Sequence, residues 1–311
     1  MSRAFVFPGQ GAQTIGMGRE LAEAYPSARA VFEEVDEALG EKLSKLIWEG
    51  EIEQLTLTAN AQPALMATSM AAMRALAYEG ITVEKAAFVA GHSLGEYSAL
   101  CAAGSLGLAD TARLLRLRGR AMQEAVPVGI GAMAAILGLG YDDVAAVAAE
   151  AAAKGEVCAA ANDNDPAQVV VSGHKSAVER AIEIAKTRGA KRAVLLPVSA
   201  PFHCALMEPA ERAMAEALSR VDLADPRVPV VPNVRAQGTT AASLLRALLV
   251  EQVTHRVRWR ESVAWMAGQG VTEFWEIGAG KALSGMIRRI VPEAATRAIA
   301  TPADIKAALG A

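Results

Sequence analysis

The stretch Gly91-His92-Ser93-Leu94-Gly95-Glu96 lies between a short apolar run, 86–90, and an alanine-rich segment, 94–103. The apolar run predicts a buried strand, and the segment after it has no proline, so a helix is predicted to begin directly after the serine. Gly91 and Gly95 have no β-carbon, which lets strand and helix approach closely while the hydroxyl of Ser93 is held at the edge of a sheet. This strand-turn-helix pattern predicts an α/β fold in which Ser93 is a nucleophile.

The start of the predicted helix favours one kind of chemistry. Its free N–H groups attract negative charge, such as the tetrahedral oxyanion that forms during acyl transfer to a serine. A Gly-x-Ser-x-Gly pattern also arises by chance in a chain with 26 glycines. The strand and helix on either side of Ser93 favour the functional interpretation.

The remaining sequence divides into a larger α/β part and an inserted part. In the inserted part the pattern predicts, in order, strand 132–137, helix 142–153, strand 156–161, strand 168–172, helix 176–187 and strand 192–198. This βαββαβ order is that of a ferredoxin-like domain. We therefore predict a large hydrolase-like α/β domain with a parallel sheet, residues 1–128 and 199–311, and a smaller inserted ferredoxin-like domain, residues 129–198.

The composition excludes several classes of protein. Of the 311 residues 52% are hydrophobic, yet no apolar run approaches the roughly 20 residues that span a bilayer, so no membrane association is expected. A net charge of -3 argues against nucleic-acid binding as the main task. A strand pattern directly after the N-terminus leaves no room for a secretion signal, and three widely spaced cysteines indicate neither a disulfide framework nor a metal site. We expect a cytoplasmic protein without a metal ion.

A serine nucleophile needs a base, and the chain has four histidines. His92 is adjacent to Ser93, and neighbouring side chains at a turn diverge, so we expect His92 to support the turn. His174, at the start of a predicted helix, is interpreted as a surface or capping residue, and His255 as a solvated residue. His203 lies where the chain returns from the inserted part, and such crossings line clefts. From the residues alone, a catalytic base and a packed histidine remain equally open for His203.

An arginine lies within the apolar face of a predicted helix, 111–125. At about 100° per residue, Arg118 shares this face with Leu114, Ala121, Met122 and Ala125. The opposite face, where we expect solvent, carries Arg113, Arg116 and Arg120. A buried guanidinium requires a partner, which is either a buried Asp or Glu or the carboxylate of a ligand. Together with an acyl-transfer serine, the second alternative suggests a substrate with a free carboxylate.

Two glycine-rich loops follow predicted strands. The first, Phe7-Pro8-Gly9-Gln10-Gly11-Ala12-Gln13, lets backbone N–H groups approach a ligand and can supply the second donor of an oxyanion hole. It lacks the dinucleotide-binding pattern, because Thr14 stands where the third glycine is required. The second, 276–281, lacks the phosphate-loop pattern, because Trp275 stands at the first glycine position. Neither loop indicates nucleotide binding.

Together these motifs resemble one known family over essentially the whole chain. In order they are Phe7-Pro8-Gly9-Gln10-Gly11, Gly91-His92-Ser93-Leu94-Gly95-Glu96, the helix with Arg118, Ala161-Asn162, Gln168-Val169-Val170, Pro201-Phe202-His203, and Gln252 near Trp259. This set is similar to the malonyl-CoA:acyl carrier protein transacylases of fatty acid synthesis. The chain departs from that family at Arg256, where a proline is common, and at Gly278-Ala279-Gly280, where Gly-Pro-Gly is usual.

The resemblance implies roles for individual residues. It implies that Ser93 is the nucleophile and His203 its base, and that the N–H groups of Gln10 and Leu94 form the oxyanion hole. It implies that Arg118 binds the malonyl carboxylate and that Phe202 and Asn162 make further contacts with the substrate. It also implies that the main-chain carbonyl of Gln252 orients the histidine. The family position of Phe202 narrows the acyl pocket and favours malonyl over α-branched acyl groups. Because a main-chain carbonyl orients the histidine, no acidic third member is required.

The implied reaction is a ping-pong transfer of malonyl from malonyl-CoA, through a malonyl-serine, to the phosphopantetheine thiol of an acyl carrier protein. Coenzyme A enters as part of a substrate, so no permanently bound cofactor is implied. Three alternatives stay open: a serine thioesterase or hydrolase, a similar transacylase of a polyketide or malonate-decarboxylase system, and a carrier-binding scaffold without activity. The intact set of Ser93, His203 and Arg118 argues against the scaffold.

Carrier proteins are generally acidic, so basic side chains are candidates for docking them. The sequence offers Arg256, Arg258, Arg260, Arg288 and Arg289. For each of these arginines an ordinary solvated surface is the alternative.

Overall fold

The computed structural model describes residues 2–152, 155–198 and 200–310. Its strands are β1 (Ser2–Phe7), β2 (Phe88–Gly91), β3 (Gly131–Leu137), β4 (Cys158–Asp165), β5 (Gln168–His174), β6 (Arg192–Leu195), β7 (Val230–Val231), β8 (Val271–Ile277) and β9 (Ala295–Ile299). Its helices are α1 (Arg19–Ala24), α2 (Pro26–Leu39), α3 (Leu43–Glu49), α4 (Ile52–Thr56), α5 (Thr58–Tyr78), α6 (Gly95–Ala102), α7 (Leu108–Glu124), α8 (Tyr141–Ala151), α9 (Lys175–Thr187), α10 (Glu208–Ser219), α11 (Ala242–Glu251), α12 (Trp259–Gly268), α13 (Ala282–Ile290) and α14 (Pro302–Leu309).

The first sheet is parallel and has the strand order β7-β2-β1-β8-β9. Residues 4–7 of its central strand β1 are fully buried, as expected for a parallel strand that is covered on both faces. Phe7 pairs with Gly91 at the carboxyl ends of β1 and β2. The loop that contains Gln10 and the turn that contains Ser93 therefore begin at the same edge of the sheet.

The second sheet is antiparallel and has the strand order β4-β5-β3-β6. Apolar residues of its strands and of α8 and α9 form one buried cluster. The chain order is βαββαβ, so the predicted fold class, a parallel-sheet α/β part with a ferredoxin-like insertion, is confirmed. The four strands lie within 131–195.

The predicted domain limits stay predictions. Those at Met1, Ser199 and Ala311 lie outside the described residues, as does the predicted helix end at Ala153.

Strand β4 is longer than the sequence pattern predicts. The pattern ends at 161, whereas β4 continues to Asp165. The N–H of Asp163 donates to Val257 O at 2.9 Å, and the N–H of Val257 donates to Ala161 O at 2.8 Å. The extension therefore depends on backbone from another part of the chain, which a local pattern does not reveal.

Other differences from the sequence pattern are small. After the insertion the chain forms a 3₁₀ turn, Ala205–Met207, and continues as α10. Strand β9, at the edge of the parallel sheet, has no counterpart in the sequence prediction. Within the described parts of the chain, no helix combines the length and the apolar character needed to cross a bilayer.

Candidate active site

The turn around Ser93 joins β2 to α6 in very close contact. A β-carbon on Gly91 would lie 1.9 Å from the carbonyl carbon and oxygen of Gly95, and one on Gly95 would lie 2.3 Å from Phe7 O. Only glycine fits at both positions. Ser93 itself has φ 53°, in the left-handed region that residues with a side chain rarely adopt. This geometry presents the serine hydroxyl at the carboxyl end of the sheet.

Asn233, which follows β7, bridges this turn. The N–H of Ser93 donates to Asn233 Oδ1 at 2.8 Å, and Asn233 Nδ2 donates to Gly91 O at 2.6 Å. These hydrogen bonds help to offset a backbone conformation that costs about 1–3 kcal/mol. Asn233 is not recognisable from the sequence, because it lies 140 residues from Ser93 and no local pattern marks it.

His203 lies beside the serine. Its Nε2 is 2.8 Å from Ser93 Oγ, and its Nδ1 is 2.8 Å from the main-chain oxygen of Gln252. Since a carbonyl oxygen can only accept, Nδ1 carries the proton and Nε2 presents a lone pair to the serine hydroxyl. Burial, and after it the positive charge of Arg118, lowers the pKa of His203 to about 3. The imidazole is therefore neutral and able to accept the proton of Ser93.

Arg118 on α7 is 1% exposed and reaches the same serine. Its Nη1 donates to Gln62 Oε1 at 2.7 Å, and its Nη2 donates to Gln252 Oε1 at 2.9 Å and to Ser93 Oγ at 3.2 Å. All three acceptors are neutral, and no carboxylate of the described residues forms a direct ion pair with Arg118. Burial lowers the pKa of Arg118, and the charge of the buried Glu96, which acts from beyond ion-pair distance, opposes this. No direct ion pair therefore balances this cation.

One expectation about the same helix is wrong. Arg116 was expected to meet solvent, but it is 8% exposed. Its Nη1 donates to Ala59 O at 2.8 Å and to the side chain of Asn60, and its Nη2 pairs with Glu41. The start of α5 and the residues after α2 cover this face of α7, and a helical periodicity cannot reveal such a cover.

A cavity of about 600 Å³ contains most of the residues that the sequence singled out. Those that line it are Gln10, Ser93, Leu94, Arg118, Asn162, Phe202 and His203. Gln252 is fully buried and contacts His203 and Arg118 from behind. The structure thus brings all eight sequence-predicted site residues together.

Two residues that line this cavity have backbone N–H groups without an acceptor among the described residues. Among the described residues, neither the N–H of Gln10 nor that of Leu94 makes a hydrogen bond, although the Gln10 side chain accepts one from Thr58 Oγ1 at 2.9 Å. Leu94 caps the N-terminus of α6, where helix N–H groups are free. Paired free donors beside a serine hydroxyl are the arrangement that binds an oxyanion.

His92 connects the turn to the antiparallel sheet. Its Nε2 is 2.8 Å from Asn164 Oδ1 on β4, and its ring packs edge-on against Trp259 with 5.8 Å between ring centroids. Burial lowers the pKa of His92, which keeps the ring neutral. In the described part of the chain, no group of three or more His, Cys, Asp or Glu side chains is arranged to hold a metal ion.

The arginines considered for docking are mostly paired. Arg256 and Arg258 pair with Glu261, Arg260 makes two hydrogen bonds to Asp163 at 2.9 and 2.8 Å, and Arg289 pairs with Asp165 at 2.7 Å. Arg288 instead donates from Nε to Thr296 Oγ1 at 2.8 Å. Of the five, Arg288 alone has no carboxylate partner among the described residues.

Comparison with known proteins agrees with this geometry. Residues 4–300 match the acyl transferase domain family. A malonyl CoA-acyl carrier protein transacylase of Bacillus subtilis (strain 168) is 48% identical over 306 residues, which cover 98% of this chain and 96% of the relative.

Two solved structures are also similar. An acyl-carrier-protein-S-malonyltransferase from Bartonella henselae is 55% identical with a TM-score of 0.97, covering 100% of this chain and 99% of that one. A malonyl-transacylase in complex with a type II polyketide synthase acyl-carrier protein is 42% identical with a TM-score of 0.96, again covering 100% and 99%. With the match to residues 4–300, these likenesses over nearly the full length show that the chain belongs to the acyl transferase domain family and, within it, to the malonyl CoA-acyl carrier protein transacylases.

Proposed function

We propose that this chain transfers a malonyl group from coenzyme A to the phosphopantetheine thiol of an acyl carrier protein, through a malonyl ester of Ser93. The observation that carries the proposal is the meeting of three groups in one cavity. Ser93 Oγ lies 2.8 Å from His203 Nε2 and 3.2 Å from Arg118 Nη2, and Arg118 forms no direct ion pair with a carboxylate of the described residues. The names of the relatives support the same activity.

In the first half-reaction Ser93 Oγ attacks the thioester carbonyl of malonyl-CoA while His203 Nε2 takes its proton. The carbonyl oxygen becomes an oxyanion that accepts hydrogen bonds from the N–H groups of Gln10 and Leu94. The carbonyl reforms, the bond to sulfur breaks, and His203 returns the proton to the departing coenzyme A thiolate. Malonyl remains as an ester on Ser93.

The second half-reaction is the same chemistry in reverse order with a new thiol. His203 takes the proton of the phosphopantetheine thiol, and the thiol sulfur attacks the malonyl ester. The oxyanion forms again at the N–H groups of Gln10 and Leu94. When the ester bond breaks, His203 returns the proton to Ser93 Oγ. The main-chain oxygen of Gln252 keeps the imidazole in the tautomer that both steps require.

Arg118 selects the acyl group in this proposal. A desolvated guanidinium bound only by neutral acceptors attracts the free carboxylate of malonyl, and that contact orients the thioester on Ser93. Phe202, which lines the cavity, narrows the space for substituents next to the carboxylate, and Asn162 contributes a polar contact to the substrate from β4. No permanently bound cofactor takes part, since coenzyme A and phosphopantetheine arrive with the substrates.

We place this activity in the cytoplasm and in the supply of fatty acid biosynthesis, with an acyl carrier protein as the partner. The family membership of the chain supports the acyl carrier protein as the partner. One similar structure is a complex with a polyketide synthase carrier protein, so carrier proteins of both kinds belong in the assay.

Mass spectrometry after exposure to an equal mixture of malonyl-CoA and acetyl-CoA tests the proposal. We expect a malonyl adduct on the Ser93 peptide that survives until a carrier protein with phosphopantetheine is added. Rapid release of free malonate without carrier protein would instead indicate a hydrolase. Ser93→Ala should form no adduct.

Arg118→Ala tests the selection of the acyl group. Loss of a buried charge contact should lower the malonyl-to-acetyl ratio of adducts by about 100-fold. Arg113→Ala is the matched control, because Arg113 is an exposed arginine on the same helix. An unchanged ratio in Arg118→Ala would contradict the proposed role of Arg118.

A further inference from the structure

Glu96 is a buried carboxylate that has no part in the proposed reaction. It lies in the first turn of α6 and is 0% exposed. It is not among the residues that line the cavity, so a substrate there does not touch it. Because a buried carboxylate is unfavourable without hydrogen bonds, its contacts indicate what it does.

One oxygen of Glu96 connects two segments that are distant in the sequence. Oε2 accepts hydrogen bonds from the N–H of Asn233 at 2.8 Å and from Gln252 Nε2 at 2.8 Å. Oε1 has no partner in the described part of the chain. Asn233 and Gln252 are both fully buried, so water does not replace these contacts. The carboxylate therefore holds a backbone segment and a side-chain amide at one point.

The amide of Gln252 has a forced orientation. Its Nε2 faces three acceptors, Glu96 Oε2 at 2.8 Å, Ser93 O at 3.1 Å and Asn233 Oδ1 at 3.3 Å. Its Oε1 accepts from Arg118 Nη2 at 2.9 Å. A reversed amide would set its oxygen against three other oxygens and its NH₂ group against the guanidinium. Glu96 supplies the shortest of the three contacts that keep the amide oxygen on Arg118.

We propose that Glu96 is a positioning residue that acts through Gln252: it keeps the amide oxygen on Arg118 and steadies the residue whose main-chain oxygen contacts His203. This inference deepens the proposed function and rests on it. Without Glu96 the amide of Gln252 keeps only its two longer contacts, to Ser93 O and Asn233 Oδ1, and holds its oxygen less firmly against the guanidinium. Acylation by malonyl-CoA should then suffer more than acylation by acetyl-CoA, which has no carboxylate for Arg118 to bind.

The experiment measures initial rates of Ser93 acylation by malonyl-CoA and by acetyl-CoA, with quenched samples read by mass spectrometry. Glu96→Ala removes the acceptor, and we expect the malonyl-to-acetyl ratio to fall about tenfold or more. Glu96→Gln can offer its amide oxygen to the same two donors, so the ratio should stay within about threefold of wild type. A purely structural role would lower both rates together and leave the ratio unchanged.

Two further variants keep the test decisive. If Glu96→Ala does not fold, Glu96→Asp takes its place, because it keeps the charge but draws the carboxylate back from Gln252 by one methylene group. Glu276→Gln is the matched control: this buried carboxylate accepts from the N–H groups of Leu283 and Ser284 at 3.0 and 2.7 Å, at the start of α13. It should leave the ratio unchanged.

A double variant tests the route through Gln252. If Glu96 acts through that residue, adding Glu96→Ala to Gln252→Ala changes the ratio no further, whereas full additivity would overturn the route. A wild-type ratio in the folded Glu96→Ala or Glu96→Asp protein would overturn the role of Glu96 and leave the proposed function standing. Absence of a malonyl adduct on wild-type Ser93 would overturn the proposed function itself.

Discussion

Both side chains that meet at the centre of the cavity belong to residues with a left-handed backbone. Ser93 has φ 53° and His203 has φ 58°, and among the described non-glycine residues only Ala236, at φ 55°, is similar. Such conformations cost about 1–3 kcal/mol each and persist only where the surroundings hold them. Asn233 bonds the backbone of Ser93, and Gln252 bonds the ring of His203. The two groups are therefore positioned before any substrate binds.

His203 is expected to remain a competent base in mildly acidic solution. Its pKa is lowered to about 3 by burial and by the charge of Arg118, and a base must be neutral to accept a proton. Since a group with this pKa is neutral well above pH 3, the rate of Ser93 acylation at malonyl-CoA concentrations far below saturation, which reports the free protein, should show no inflection near the usual histidine pKa of about 6.5. Rapid-quench measurements over roughly pH 5 to 8 test this.

Glu96 is the group that needs a control in that experiment, because burial raises its pKa to about 7. An inflection near pH 7 that disappears in Glu96→Gln belongs to Glu96 and agrees with a neutral His203. An inflection near pH 6.5 that persists in Glu96→Gln would contradict the lowered pKa of His203.

Residues in a local pattern are recognisable from the sequence, and others are not. Ser93 stands between two glycines, Arg118 stands in an apolar helix face, and His203 stands at the return from the insertion. Asn233 and Gln62 have no such pattern. Asn233 contacts the turn from 140 residues away, and Gln62 contacts the guanidinium from 56 residues away, so only the folded chain reveals them.

At the scale of elements, the approach of β2 to α6 depends on glycine at position 91. We expect Gly91→Ala to lower the free energy of unfolding by about 3 kcal/mol or more, because its β-carbon would overlap the backbone of Gly95, which cannot turn aside as a side chain can. Urea denaturation measures this. Gly285→Ala in α13 is the control: its β-carbon would lie 3.8 Å from Arg289 Nη1, so the change should be neutral or stabilise by up to about 1 kcal/mol. Similar losses in both variants would contradict the steric explanation.

Strand β4 depends on arginines from the larger part of the chain. The Asp163 side chain is 0% exposed and bonds Arg260 twice, at 2.9 and 2.8 Å. Removal of Arg260 leaves a buried carboxylate unpaired, so Arg260→Ala should lower the free energy of unfolding by about 2–4 kcal/mol. This loss is smaller than that expected for a fully buried ion pair, because Arg260 is partly exposed.

Arg113→Ala is the control, because Arg113 pairs with Asp110 at an exposed position. It should change the free energy of unfolding by less than about 1 kcal/mol. Adding Asp163→Asn to Arg260→Ala should recover part of the loss, because it removes the unpaired charge. No recovery in the double variant would mean that the loss has another cause.

Elements with a clear period are predictable, and elements supported by distant backbone are not. The βαββαβ order and helix α7 follow from the spacing of apolar residues. The end of β4 does not, since Val257 supports it, and the sequence does not tell that Arg260 and Arg289 pair with Asp163 and Asp165. A sequence does not show which acidic residue an arginine pairs with. Arg260 and Arg289 are therefore docking candidates by sequence, although the fold uses them in ion pairs.

At the scale of the whole molecule, the cavity lies where the two sheets meet. Gln10 and Ser93 reach it from the parallel sheet, and Asn162 and Val170 reach it from the antiparallel sheet. The fold class of each part is predictable, because it depends on local order. Their mutual placement is not, because it depends on pairs such as Arg260 with Asp163, which are 97 positions apart.

Of the neighbouring Arg288 and Arg289, only Arg288 is suited to a test of carrier-protein docking. Arg289→Glu would oppose the carboxylate of Asp165 and destabilise β4, so it cannot report on docking alone. Arg288 is exposed on α13, whose residues Leu283 and Met286 line the cavity, and it has no carboxylate partner among the described residues. An exposed cation without a carboxylate partner, on a helix that contributes to the cavity lining, is suited to attract an acidic partner.

We therefore expect Arg288→Glu to raise the KM for acyl carrier protein by about 3- to 10-fold and to leave the KM for malonyl-CoA unchanged, with a smaller effect at high salt. Steady-state transfer assays at two ionic strengths measure both constants. Lys306→Glu on α14 is the control, because it makes the same change of charge at an exposed position on a helix that contributes no described residue to the cavity lining. Equal rises in both KM values, or an equal rise in Lys306→Glu, would show that the carrier protein does not dock at Arg288.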